Sequence, residues 1–585
     1  MAPRRRPLVA LLAPLLLLPL LSVPAPAPAN RCLWATAIIS SFWALEVLPL
    51  AVTSLLPLVL YPALGVLPAA AVSTNYFKDK IVLFFGGLVV AAALESVELH
   101  RRMALRVLVA FGTKPPQLLL GFMSATAFLS MWMSNTATAA MMMPIAEGVL
   151  QQLEAAASAA AAAPAAPSPA ALQRVGKALM LAVAWSANIG GMATLTGTGP
   201  NLVLAGDFTD LYPAGPGLSF AHWLAFALPL AVAFLLCAWQ LLVRVMLRHS
   251  RGLYDTDAAA AAIRTQYAAL GPMSFRERLV LGDFAALAVL WITRDPKFIP
   301  GWGSLFERGF VSDGTVAALM AILLFALPAE KPRGCRPPAR HLVGPTRASD
   351  PTLLDGQEPT STAQVQLEAV PPPDANASAP AADAADAVAT PPPKRRPWAR
   401  CDGGGAPSEA LVEWAVVARL LPWGVVLLLG GGFAVADACV ASGLSAYVGE
   451  SLVSLRTLPP ALVAVLLMLI VSATTAVTSN VATASIFVPV VAGLADSCDV
   501  HPLRFMLPVT LTCSLAFVLP VSTPPNALAF SSGRLRVRDM VGLGVCMNLI
   551  GIALIALALH TTGELLFELG DVPAWAGNRS SLRYR

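Results

Sequence analysis

From Leu8 to Leu566 the chain is a succession of apolar runs separated by short polar breaks. A helix that crosses a bilayer needs about 20 mainly apolar residues, and about ten such runs, whole or interrupted, can be placed, with room for one more. Two of them open on hydrogen-bonding side chains. "SNTATAAMMMPI", Ser134 to Ile145, and "SNVATASIFVPV", Ser479 to Val490, each continue with small residues, an apolar run and a proline ten residues on.

The two stretches are in register. Ser134 pairs with Ser479, Asn135 with Asn480 and Pro144 with Pro489, all 345 positions apart, and the same displacement lays Gly86–Leu99 on Gly431–Leu444. A third pair, "GTGPN" (Gly197 to Asn201) and "STPPN" (Ser522 to Asn526), is 325 positions apart. The lost twenty positions match an Ala-rich insert, Glu154 to Arg174, so one duplication with one insertion accounts for all three pairs. Duplicated halves with interrupted apolar segments in matching places are the pattern of secondary transporters. Inversion of the second copy turns on the number of spans between the copies, which the apolar pattern leaves open by one.

Composition agrees with a polytopic membrane protein: of 585 residues 57% are hydrophobic and 12% charged, with a mean hydropathy of +0.69. A net charge of +5, scattered over loops, gives no footprint for nucleic acid. The eight cysteines form no C-x-x-C pair and the six histidines have no ligand spacing, so buried thiols are expected rather than a metal centre or a disulfide framework. The N-terminus has a basic start, an apolar core and a small-residue end near Ala27 to Ala29, the pattern of a secretory signal; uncleaved, it is a first span with Arg4, Arg5 and Arg6 in the cytoplasm. Between Glu330 and about Trp414 runs of Pro, Ala and charge read as a disordered linker, cytoplasmic by Lys331, Arg333, Lys394, Arg395 and Arg396.

Non-helical backbone is tolerated at membrane depth only where protein or a water-filled cavity satisfies it. Gly197, Gly199 and Pro200 in one cluster, and Pro524 and Pro525 in the other, break helices, so each cluster reads as an unwound point between half-helices. Freed carbonyls there suit a hard cation, and half-helix N-termini suit an anion. Ser134, Asn135, Thr136, Ser479 and Asn480 add neutral groups able to hold carboxylate oxygens, so that anion and cations cross as a nearly neutral package. Either motif alone is more often packing glue or a kink; both together, twice and in register, favour a site. Met141, Met142 and Met143 read as core filling. Glu46 and Asp437 stand as isolated carboxylates, with local packing and cation or substrate handling equally open.

At "MWMSNTATAAMMMPI", "ANIGGMATLTGTGPNLVL", "PWGVVLLLGGGFAVA", "SNVATASIFVPV" and "AFVLPVSTPPNALAF" the chain resembles the divalent anion/sodium symporters, solute carrier family 13, and among them the animal sodium-coupled dicarboxylate and citrate transporters. The likeness covers nearly the whole chain except the linker and the Ala-rich insert. It implies an all-α fold of two inverted repeats with about eleven spans, two re-entrant hairpins and broken helices. It implies also a homodimer in which a transport domain moves against a scaffold domain, elevator-fashion. Carried over, the first sodium site falls near Ser134, Asn135, Gly197 and Asn201, and the second near Ser479, Asn480, Thr523 and Asn526. Substrate contacts fall on Ser134, Asn135, Thr136, Asn480 and Val481, the last through backbone or packing, with Gly197, Ser479 and Thr523 beside them. No other cofactor is implied.

The expected organisation is a first membrane half over 1–330, the linker over 331–414, a second membrane half over 415–570 and an extracellular tail over 571–585. The family has a glycosylated external C-terminus, and Asn578 begins an acceptor triplet. The resemblance thus favours retention of the first span, a cytoplasmic N-terminus and a plasma-membrane location. It implies electrogenic import of di- or tricarboxylates such as citrate or succinate. Sulfate is the alternative within the fold. A channel would conduct without sodium coupling, and a membrane-embedded enzyme would need a catalytic cluster that the sequence does not display.

Overall fold

Proline fixes φ and lacks a backbone donor, so it suits the first turn of a helix and weakens its interior. The chain places prolines accordingly around both polar clusters. In the computed structural model, residues 6–111, 114–159, 169–248, 256–296, 299–307, 309–330, 410–451 and 457–576 are described, and among them the secondary structure is helical apart from one antiparallel bridge, Pro328 to Ala410. In the first half the helices used below are α1 (Ala27–Leu45), α2 (Asp79–Ser96), α3 (Leu99–Phe111), α4 (Pro115–Ser130), α5 (Asn135–Ala159), α6 (Pro169–Ala193), α7 (Gly199–Leu211), α8 (Phe220–Met246), α9 (Phe275–Arg294) and α10 (Asp313–Ala326). In the second they are α11 (Trp423–Ala441), α12 (Pro460–Thr475), α13 (Asn480–Ser497), α14 (Leu503–Thr512), α15 (Pro524–Ser531) and α16 (Val537–Ala558).

Four helices among the described residues are long and apolar enough to cross a bilayer: α8, α11, α13 and the stretch Val537–Phe567 that continues α16. A fifth candidate is the pair Ala69–Ser96 and α3, bent by 72°. Helices α1, α5, α6 and α9 are long enough but less apolar, and other apolar runs are shorter or cut. The polar tips before Asn135 and Asn480, and the Gly- and Pro-containing breaks before Gly199 and Pro524, interrupt them.

The repeat is visible in the elements. α4, its tip and α5 correspond to α12, its tip and α13; α6, the break and α7 correspond to α14, the break and α15. Pro144 and Pro489 lie inside α5 and α13 at matching positions. The paired glycines of α2 and α11 serve close crossings: a methyl on Gly86 would come 2.6 Å from the Ala317 carbonyl carbon, and one on Gly431 would come 2.7 Å from the Ser54 carbonyl oxygen. The two copies also pack on each other, α6 and α5 against α15, and α7 against α13 and α14. One continuous buried core results, including Trp185, Phe208, Phe433 and Phe505.

The assigned linker, 331–414, falls outside the described residues up to 409. Its last residues are packed: Leu411 and Val412 are buried, and the Leu411 amide donates to the Leu327 carbonyl at 2.9 Å. The two large apolar residues after Ala410 thus pack against the core ahead of position 414.

At the start of α10, Asp313 is 1% exposed and ion-pairs with Arg294 at the end of α9, while its Oδ2 accepts from the Phe220 amide at 3.2 Å. Removing one member of a buried pair strands the other charge, which costs about 3 to 5 kcal/mol. Asp313→Ala is expected to lower the unfolding midpoint of detergent-purified protein markedly, and an unchanged midpoint would count against the pair as a structural clamp.

Candidate functional site

Asn135 and Asn480 each begin a helix, directly after a tip of four residues: Met131 to Ser134 in one repeat and Ala476 to Ser479 in the other. A hydroxyl from the preceding helix steadies each amide. Ser130 Oγ lies 2.7 Å from Asn135 Oδ1 and 2.7 Å from the Ala187 carbonyl. Thr475 Oγ1 lies 3.0 Å from Asn480 Oδ1 and 2.6 Å from the Cys513 carbonyl. Each hydroxyl thus has one proton to offer two acceptors.

The two breaks are built alike. Thr198 and Thr523 have extended backbone, with φ −149° and −144°, and cap α7 and α15, each of which has proline in its first turn. Asn201 and Asn526 then fold back to staple the break: Asn201 Nδ2 donates to the carbonyls of Gly191, Met192 and Thr194 at 3.3, 3.4 and 2.8 Å, and Asn526 Nδ2 donates to those of Ala516 and Leu519 at 2.7 and 3.2 Å. Gly191 and Thr194 lie 325 positions before Ala516 and Leu519, the displacement of the motifs themselves. Both asparagines are fully buried, and Oδ1 of each is left without a hydrogen-bond partner among the described residues. Each break is also tied to its tip: Thr194 Oγ1 donates to the Met131 carbonyl, and Ser522 Oγ donates to the Ala476 carbonyl at 2.7 Å.

The halves meet at this level. Asn135 Nδ2 donates to Asn188 Oδ1 at 3.3 Å, and Asn188 Nδ2 donates to Thr523 Oγ1 at 3.2 Å, so the tip of the first repeat is wired to the break of the second. In return, Val481, in the first turn of α13 after the second tip, lies against Gly199 at the start of α7, where a methyl would come 2.4 Å from Val481 Cγ2. Both tips and both breaks are therefore one cluster.

The residues expected from the sequence are not all used alike. Asn135, Asn201, Asn480, Thr523 and Asn526 are in the network, and Val481 is in packing contact. Ser134 Oγ accepts from the Ala137 amide at 3.2 Å, as a helix cap does. Ser479 precedes α13 without a side-chain cap, and Thr136 is exposed beside Asn135. Gly197 is buried against the Gly191 carbonyl, where a methyl would come within 2.5 Å. Asn188, Ser130 and Thr475 were missed; the available signal was a lone amide or hydroxyl in an apolar helix.

Asp437 is not isolated: Lys78 Nζ lies 3.4 Å from it and 2.6 Å from Asp210. Glu46 is exposed and ends α1 with φ +48°, a surface position without a buried partner. Asn578 lies outside the described residues.

A family profile for the sodium:sulfate symporter transmembrane region matches residues 4–569 of the chain. The chain belongs to the sodium:sulfate symporter family. The Na+/dicarboxylate cotransporter 3 of Rattus norvegicus is 36% identical, over 99% of this chain and 95% of its own. The Na+/citrate cotransporter of Rattus norvegicus is 38% identical over 96% of each chain, and solute carrier family 13 member 2 of Homo sapiens is 38% identical over 98% of this chain and 95% of its own. The YdaH transporter of Alcanivorax borkumensis aligns over 85% of this chain and 88% of its own, at 11% identity and a TM-score of 0.48. Family membership and the long apolar helices make this symporter-family chain a membrane protein.

Proposed function

We propose that the protein is a sodium-coupled symporter that imports di- or tricarboxylates, citrate and succinate among them, across the plasma membrane. The observation that carries the reading is the matched pair of proton-poor oxygen clusters. In each repeat a tip asparagine shares a single hydroxyl proton, and a buried break asparagine leaves Oδ1 unpaired. An excess of acceptor oxygens without a fixed charge suits a hard monovalent cation better than a donor-seeking ligand. On this reading Asn135 and Asn201, with Ser134 and Gly197, hold one sodium ion. Asn480 and Asn526, with Ser479 and Thr523, hold the second.

The N-termini of α5 and α13 present amides and the positive ends of their dipoles to an anion between the tips. Two cations flanking an anion offset much of its charge, which lowers the cost of moving it through an apolar barrier. Thr136 and Val481, at equivalent positions on the two tips, border that anion. Inverted repeats, a homodimer, and elevator motion of the cluster as one body belong to the same proposal, as do a cytoplasmic N-terminus and an external C-terminus. Carboxylate cargo is supported by the names of the relatives at 36 to 38% identity. Sulfate, the anion in the family's description, is the competing cargo.

Uptake of labelled citrate, succinate and sulfate into cells expressing the chain, with sodium or with choline, tests the proposal. Saturable carboxylate uptake that vanishes in choline is the expected result. Entry of sulfate alone would overturn the cargo, and carboxylate uptake that persists in choline would overturn the coupling.

A further inference from the structure

Six residues along α7 from Asn201, about 9 Å further up the helix, stands Asp207. It is 1% exposed, and neither carboxylate oxygen has a hydrogen-bond partner among the described residues. An ionised carboxylate in such a place is among the most costly groups a protein can bury. Three further groups surround it electrostatically: Asp210 on α7, Lys78 just before α2, and Asp437 on α11. Lys78 is engaged twice over, 2.6 Å from Asp210 and 3.4 Å from Asp437, and its ammonium stands 5.4 Å from the centre of the Phe433 ring. One cation thus faces three carboxylates, and the one buried deepest is the one it does not touch.

The remaining neighbours do not supply the missing charge. α7 packs on α2, α11, α13 and α14. On α11 the other titratable group nearby is the Cys439 thiol. On α13, Asp496 accepts from Tyr212 Oη at 2.8 Å. On α14, Arg504 donates to the Leu569 carbonyl at 3.1 Å. Beyond Lys78, Lys80 pairs with Asp79 at 3.6 Å. Gly206, next to Asp207, lies so close to Phe433 that a methyl would come 2.3 Å from the ring, which closes this face to a large ligand.

We propose that Asp207 is a third cation-binding position, separate from the two break sites and taking one small monovalent cation opposite its carboxylate. The inference extends the symporter reading, since it places this cation on the helix whose first turn belongs to the first sodium site. A proton and a sodium ion share the required chemistry, a single positive charge small enough for a buried position packed beside the Phe433 ring.

The test compares thermal unfolding of the purified full-length protein and its Asp207→Asn variant in detergent, starting from alkaline, sodium-free buffer. Sodium is added in one arm and the buffer acidified in the other. The variant has no charge to neutralise, so the wild type is expected to gain more in midpoint than the variant in one arm. The arm that shows the excess identifies sodium or the proton. Equal gains in both arms overturn the proposal. Should the amide variant fail to fold, Asp207→Leu, apolar and of the same branched heavy-atom skeleton, is compared in the same way and decides by the same criterion. The measurement needs no transport, so failure of the symporter reading in uptake assays is a separate result.

Discussion

Asn135→Ala and Asn480→Ala each abolish sodium-dependent anion uptake while the amount of protein at the cell surface stays at the wild-type level. The expectation rests on what each side chain does in the fold and what it does not. Each is the first residue of a helix and only partly buried, a place where alanine fits the backbone and opens little space. The loss falls instead on the polar cluster. Without the Asn135 amide, Ser130 keeps the Ala187 carbonyl but Asn188 loses its donor; without that of Asn480, Thr475 keeps only the Cys513 carbonyl. A lost ligand to a dehydrated ion or anion costs about 1 to 3 kcal/mol per contact, so affinity falls by about 5- to 150-fold for each, and each asparagine is placed to serve both cargo and cation. Uptake at the wild-type rate in both variants would sink the assignment of the tips.

Two adjacent glycines give the second large effect, with opposite causes. Gly190→Ala is expected to yield little folded protein, because the added methyl would come 2.2 Å from the Ala127 carbonyl oxygen and 2.7 Å from its Cα, where α6 crosses α4. Backbone cannot step aside as a side chain can, and overpacking at a helix crossing costs about 1 to 3 kcal/mol or more. Gly191→Ala places its methyl 2.4 Å from Asn135 Oδ1, a side-chain atom that can turn away. That variant should reach the membrane folded and lose uptake, because the amide that turns away is the proposed ligand. Monodispersity of the detergent-purified protein separates the two. A folded Gly190→Ala protein or a fully active Gly191→Ala protein would contradict the geometry.

The internal displacements were the most legible feature of the chain. The 325-residue shift inferred from "GTGPN" and "STPPN" recurs in the bonds themselves, Asn201 reaching Gly191 and Thr194 where Asn526 reaches Ala516 and Leu519. Local chemistry is why: a side chain that staples its own break contacts residues at most ten positions away, and proline and glycine announce the break. Contacts of long range were not legible. Asn188 meets Thr523 at a separation of 335 residues and Lys78 meets Asp437 at 359, so neither role is written near the residue that plays it. Asn188 was also hidden because the repeat offers it no twin, Cys513 standing 325 positions later. The packing of Leu411 and Val412 was not legible for a simpler reason: they are too short a run to stand out beside the low-complexity chain before them.

That mismatch between Asn188 and Cys513 has a consequence for recognition. A cleft made of two equivalent halves reads a guest identically from either end, and so has no means of giving it a direction. Here one copy offers an amide that links its tip to the break of the other, and the other copy has the fully buried Cys513 at the matching position. The symmetry of the two copies is broken at this position, as it is where Thr136 matches Val481. On the proposed reading the site consequently has a head and a tail, and an unsymmetrical guest is expected to have one preferred way to lie in it.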